Sequence, residues 1–270
     1  APPKAYYARF GWVGDEGVRL PDAETLWRAD RTTLEPGRPV TLRWENGAGL
    51  RFTRTLSLDE NYMFTVTQKV KNTGTSAVTL YPYGLISRRT TPEVIGFYIL
   101  HEGLLGVTNG TLSEIDYDEL QEEGQIKETT RGGWLGITDK YWLTALVPDQ
   151  KAKVTTRFLY RKESGDDLYQ ADYLSAPVTV APGKTGEVQN RLFAGAKEVT
   201  LLDAYNLDNE EINSSWSSIY QAMTTLGLKT STADHLGIDR FDLAIDFGWF
   251  YFLTKPIFYA LIYINGLVLN

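Results

Sequence analysis

Two histidines, His101 and His235, are the whole imidazole supply of this chain, and it contains no cysteine. Acid–base catalysis needs two titratable groups that face each other across a substrate. His101 is followed directly by Glu102, and sequence neighbours on a strand point to opposite faces. His235 closes a polar run, residues 229–235. Neither histidine makes a catalytic pair, so no residue is assigned a catalytic role and no enzyme activity is expected. Thiolate metal sites and disulfides are impossible without cysteine. The carboxylates Asp116, Asp118 and Glu119, like the pair Asp166-Asp167, lack the spacing and glycine of a calcium loop. No metal and no cofactor is implied. With 27 basic against 34 acidic residues the net charge is −7, and no basic run supplies a nucleic-acid surface.

The residues whose types do point to a task lie near the C-terminal end. From Trp249 to Leu269 the only charge is Lys255, in a run dominated by Trp249, Phe250, Tyr251, Phe252, Phe258, Tyr259 and Tyr263. A bilayer span needs roughly 20 apolar residues. Here a lysine and Pro256 interrupt the run, and both are costly inside a spanning helix. Tryptophan and tyrosine favour the membrane–water interface. The run therefore reads as a helix lying on a membrane surface, its start marked by Asp242 and Asp246 one turn apart. In that reading Trp249, Phe250, Phe252 and Phe258 sit among headgroups, and Lys255 snorkels or meets anionic phosphate. A buried aromatic helix of a soluble core is the alternative.

The elements that must hold this run are mostly strands. Residues 40–45 alternate apolar and polar and stop at Asn46-Gly47, a strong hairpin signal. Strands follow at 50–56, 62–70 and 77–86, with turns at 59–61 and Asn72-Thr73-Gly74. More are expected at 142–147, 154–160, 176–180 and 186–193, with turns at Pro148-Asp149, Gly165-Asp166-Asp167 and Pro182-Gly183. Short strands at this spacing mean a β-sandwich or barrel. Residues 88–136 are turn-rich and acidic and read as a binding loop over one end of the sandwich or as an ordinary long connection. Ile212, Trp216, Ile219, Met223 and Leu226 mark one face of a helix, packing on the sheet or meeting a partner. Trp27, Trp134 and Trp142 either line a cleft or partner surface or are core tryptophans.

The string from Phe241 to Phe258 resembles the segment that joins the periplasmic domain to the membrane core in the bacterial YidC membrane protein insertase family. Asp246, Phe247, Gly248, Trp249, Pro256 and Phe258 carry the match. The strings Tyr7 to Trp12, Arg51 to Val66, Gly132 to Trp142 and Leu192 to Lys197 resemble the same family in the same order. The resemblance implies a mainly β, twisted supersandwich similar to mutarotase domains, with C-terminal helices of which the last is interfacial. With the periodicity it divides the chain into a periplasmic sandwich over 1–200, an amphipathic helix and linker over 201–238, where the sequence departs from the family's shorter connection, and a membrane-surface helix over 239–270. A transmembrane anchor upstream and a transmembrane core downstream are expected from it. So are contacts with the lipid bilayer surface, Sec translocon components and, through the missing core, nascent inner-membrane proteins. A carbohydrate- or peptide-binding sandwich is the other function kept in view.

Overall fold

A computed structural model describes residues 5–93, 100–206, 235–247 and 251–268. Turn chemistry sets its hairpins. The Asn46 side chain accepts the Ala48 and Leu50 N–H groups (2.8 and 3.0 Å), and Gly47 takes a φ of 74°. Asp59 does the same for Asn61 and Met63, both at 2.8 Å, and Asn72 for Gly74 at 2.9 Å. Each side chain imitates a turn of backbone and reverses the chain where the next strand must begin.

The strands in chain order are β1 (Tyr6–Gly14), β2 (Arg28–Ala29), β3 (Val40–Glu45), β4 (Leu50–Leu58) and β5 (Met63–Asn72). Then come β6 (Val78–Arg89), β7 (Gly103–Thr108), β8 (Thr111–Ile115), a short helix α1 (Tyr117–Glu123), β9 (Gln125–Arg131) and β10 (Trp134–Thr138). The last are β11 (Trp142–Val147), β12 (Lys153–Glu163), β13 (Asp166–Ser175), β14 (Val178–Val180) and β15 (Thr185–Ala196). They form two sheets, each antiparallel throughout. One runs β1-β6-β13-β12-β9, with β14 also on β6; the other is nine-stranded, β2-β3-β4-β5-β15-β11-β10-β7-β8. The expected mainly β sandwich is present.

Two apolar layers result. Between the sheets lie Phe10, Val66, Ile86, Leu104, Leu135, Ile137, Leu146 and Tyr173. The outer face of the nine-stranded sheet carries Leu105, Val107, Trp134, Leu143, Ala145 and Phe193, covered by helix α2 (Val199–Asn206) and by Ile238, Phe241 and Ala244. Strands β7 and β10 are therefore buried on both faces. Such strands carry no alternation to read.

That burial corrects the expectation of a loop across residues 88–136. Apart from residues 94–99, which lie outside the description, this stretch holds the end of β6 and then β7 to β10 with α1, and β7 and β10 are core strands paired on both sides. The turn expected at Gly165-Asp166-Asp167 is tighter: β13 starts at Asp166, and the strand expected over 176–180 is the short β14. The amphipathic helix expected from Ile212 to Leu226 lies outside the described residues.

Candidate membrane-surface interface

The C-terminal segment enters the fold through one phenylalanine. Phe241 is fully buried, edge-on to Trp134 at 5.3 Å and to Phe193 at 5.6 Å. Its N–H donates to the Asn206 side chain (2.9 Å), and the Ile238 N–H donates to the Tyr205 carbonyl (3.0 Å). The Tyr205 hydroxyl in turn donates to Asp59 and to the Asn61 carbonyl, tying α2 to the β4–β5 turn. The segment is thus a working part of the outer layer. Asp242 lies in a 3₁₀ turn (Phe241–Ala244) and Asp246 in the irregular stretch after it, ahead of residues 248–250, which lie outside the described residues.

Helix α3 (Tyr251–Val268) follows, and it runs on through Pro256. Lys255 does not snorkel. Its ammonium is held between Asp203 of α2 at 2.9 Å and Asp242 at 2.8 Å, with only 17% of the side chain exposed. Burial pulls the Lys255 pKa down, but the two carboxylates outweigh it and hold the ammonium above the ordinary lysine range. Burial pushes the Asp203 carboxyl up against the pull of Lys255. The Tyr259 hydroxyl donates to the second Asp203 oxygen. Thr254 donates to the Phe247 carbonyl (2.9 Å), and Phe258 stacks edge-on to Phe247 at 6.0 Å. Lys255, Phe258 and Tyr259 thus form one helical face against the domain, and Ile262, the next position on that face, is half buried.

The other face is what sequence reasoning missed. Leu253, Ile257, Leu261 and Ile264 are all exposed, at spacings of four, four and three residues. Ala260 is exposed between them. One stripe of a 3.6-residue helix is therefore apolar and outward-facing, with no charge in it. The signal stood in the sequence as that periodicity, hidden by the aromatics on the other positions. Among the described residues no helix is long and apolar enough to cross a membrane.

The remaining expected residues separate. Trp249 and Phe250 lie outside the described residues, and only the backbone of Phe252 is described. Phe258 lies against Phe247, half buried. Trp134 is 1% exposed and locked under Phe241, so it lines no cleft and meets no partner; the core reading holds for it. Trp142, eight residues on, is 60% exposed. Trp27 is half buried against Trp44 and the Arg54 guanidinium. His101 donates through Nε2 to the Leu104 carbonyl (2.9 Å) and turns Nδ1 to Asp116 (3.3 Å), while Glu102 accepts the Lys140 N–H.

Fold and interface together define a two-sheet β-domain that carries, on an ion-pair mount, a helix with an apolar outer face. The model of the YidC periplasmic domain matches residues 1–260. The chain belongs to that family, which places it on the periplasmic side of the inner membrane. Named relatives agree. The membrane protein insertase YidC of Methylobacterium nodulans is 46% identical over 95% of this chain, and that of Bradyrhizobium diazoefficiens 44% over 95%. This chain covers 40% and 39% of those two proteins. Among solved structures, a galactose mutarotase related enzyme of Lactobacillus acidophilus overlays with a TM-score of 0.45 at 10% identity, covering 64% of this chain and 73% of that one.

Proposed function

We propose that this chain is the periplasmic part of an insertase that helps inner-membrane proteins insert and fold, alone or with the Sec translocon. Its own share is to sit on the bilayer surface and offer partner contacts; the groove that receives a substrate helix belongs to a membrane core outside these residues. The observation that carries the reading is the outward apolar stripe of α3, Leu253, Ile257, Leu261 and Ile264, presented by a helix whose opposite face is ion-paired to the domain. An apolar stripe facing water is costly unless something apolar covers it. In a family found beside the inner membrane, the headgroup–acyl boundary is that cover.

No enzyme chemistry is assigned. His101 has both ring nitrogens engaged, Glu102 is turned to a backbone N–H, and His235 binds the Ala204 carbonyl through Nδ1. None of them is poised to move a proton on a ligand.

Flotation with vesicles of phosphatidylethanolamine and phosphatidylglycerol tests the reading. The chain is expected to float and the Ile257→Asp/Leu261→Asp variant to stay in the load. Equal flotation of both, with both folded by circular dichroism, would refute it. Capture by the periplasmic parts of the Sec translocon tests the partner side.

A further inference from the structure

The string Gly132 to Trp142 ends in a part that the core does not use. Its first half packs into the two apolar layers, while Asp139, Lys140 and Tyr141 turn the chain between β10 and β11 and deliver Trp142 to the surface. This tip is rigid. The Asp139 N–H closes the turn on the Trp142 carbonyl (2.9 Å), Thr138 donates to the same carbonyl, and the Lys197 N–H binds the Tyr141 carbonyl (2.9 Å). Arg88 pairs with Asp139 at 2.6 Å, and the Lys197 ammonium donates to Thr138.

On that rigid frame the two largest side chains face water. Tyr141 is 63% exposed and Trp142 60%, and Trp142 is the one exposed tryptophan among the described residues. The Lys140 ammonium lies 5.1 Å from the Tyr141 ring centre. Tyr62, also exposed, occupies the next turn of the same sheet end, its ring lying on Gly195 beside Leu143. Two large rings held outward on one braced hairpin suit a contact surface, since covering them would remove apolar area from water. Tyrosine, tryptophan and lysine together suit a surface that is apolar below and anionic above.

The same end leads to α3. Lys197, whose N–H binds the Tyr141 carbonyl, runs two residues on into α2, and Asp203 of α2 holds Lys255 of α3. We propose that the β10–β11 tip is a second contact with the bilayer surface, with Tyr141 and Trp142 among the headgroups and Lys140 toward lipid phosphate. This rests on the proposed placement of α3 beside the membrane. A protein partner would be a different occupant, and the test separates the two.

Because the chain has no cysteine, one thiol can be placed at will. Trp142→Cys, Ile257→Cys and Val13→Cys, each carrying the fluorophore NBD, are mixed with phosphatidylethanolamine–phosphatidylglycerol vesicles containing headgroup-nitroxide lipid. Val13 is exposed at the far end of β1 and serves as the reference. Quenching at 142 and 257 but not at 13 is expected, together with a several-fold loss of vesicle affinity in Tyr141→Ser/Trp142→Ser. Quenching at 257 alone would overturn the hairpin contact and leave α3 in place. Quenching at neither would overturn both readings. A label at 142 that responds in lipid-free solution to the Sec translocon's periplasmic parts, and not to vesicles, would overturn it in favour of a protein contact.

Discussion

Replacing Lys255 with methionine leaves Asp203 and Asp242 facing one another with no cation between them. Both are largely enclosed, at 15% and 23% side-chain exposure, and each sits within 2.9 Å of the ammonium that is lost. Removing one partner of a buried ion pair costs about 3–5 kcal/mol, and for this partly solvated trio we take the lower end, about 3 kcal/mol. The cost falls on the docking of α3, because the ammonium is what joins the helix to α2 and the 3₁₀ turn. At about 1.4 kcal/mol per tenfold, the undocked population rises roughly a hundredfold. Hydrogen exchange read on peptides covering 251–268 is the assay: Lys255→Met exchanges faster there by that factor, while β7 and β10 keep their protection. Adding Asp203→Asn and Asp242→Asn removes the stranded charges, and the triple variant recovers most of the protection. Unchanged exchange in Lys255→Met, or a triple variant no better than the single one, would refute the ion-pair mount.

Other consequences follow from the same contacts. Since the folded pKa of Lys255 is raised, its contribution is fully present below the ordinary lysine value and fades as pH climbs through the higher folded one; protection of α3 should hold at neutral pH, fall in alkali, and lose that dependence in Lys255→Met. Phe241→Ala empties a fully enclosed site beside Trp134 and Phe193, and a loss of about 3–5 kcal/mol is expected in urea unfolding. Gly133 and Gly183 both have φ above 70°, but a side chain at 133 would also run into the Val107 carbonyl, whereas 183 faces open space. Gly183→Ala should therefore cost about 1 kcal/mol and Gly133→Ala clearly more, read from urea midpoints.

The hairpins were legible because their turns are written in single residues: Asn46-Gly47, Asp59 and Asn72 each act within four positions of themselves. Strand β11 was legible end to end for the same local reason. Strands β7 and β10 were not, since burial on both faces erases the alternation that betrays a strand, and their glycines imitate loop. Lys255 was misjudged because its partners Asp203 and Asp242 are 52 and 13 positions away; its nearest sequence neighbours are mostly apolar, and they point to lipid. Trp134 and Trp142 stand in one motif, and only the β10–β11 register sends one inward and leaves the other at a tip. The family could be read from strings of residues, but the division of α3 into a docked face and a bare one required the fold.

The proposed function puts the bare face of α3 on the bilayer. Single cysteines along residues 253–265, labelled with NBD and read for emission shift on phosphatidylethanolamine–phosphatidylglycerol vesicles, test it most directly. Blue shifts at 253, 257, 261 and 264 that grow on adding vesicles are expected, with 258, 259 and 262 indifferent to lipid. A lipid response with the opposite phase, or none at any position, would contradict it.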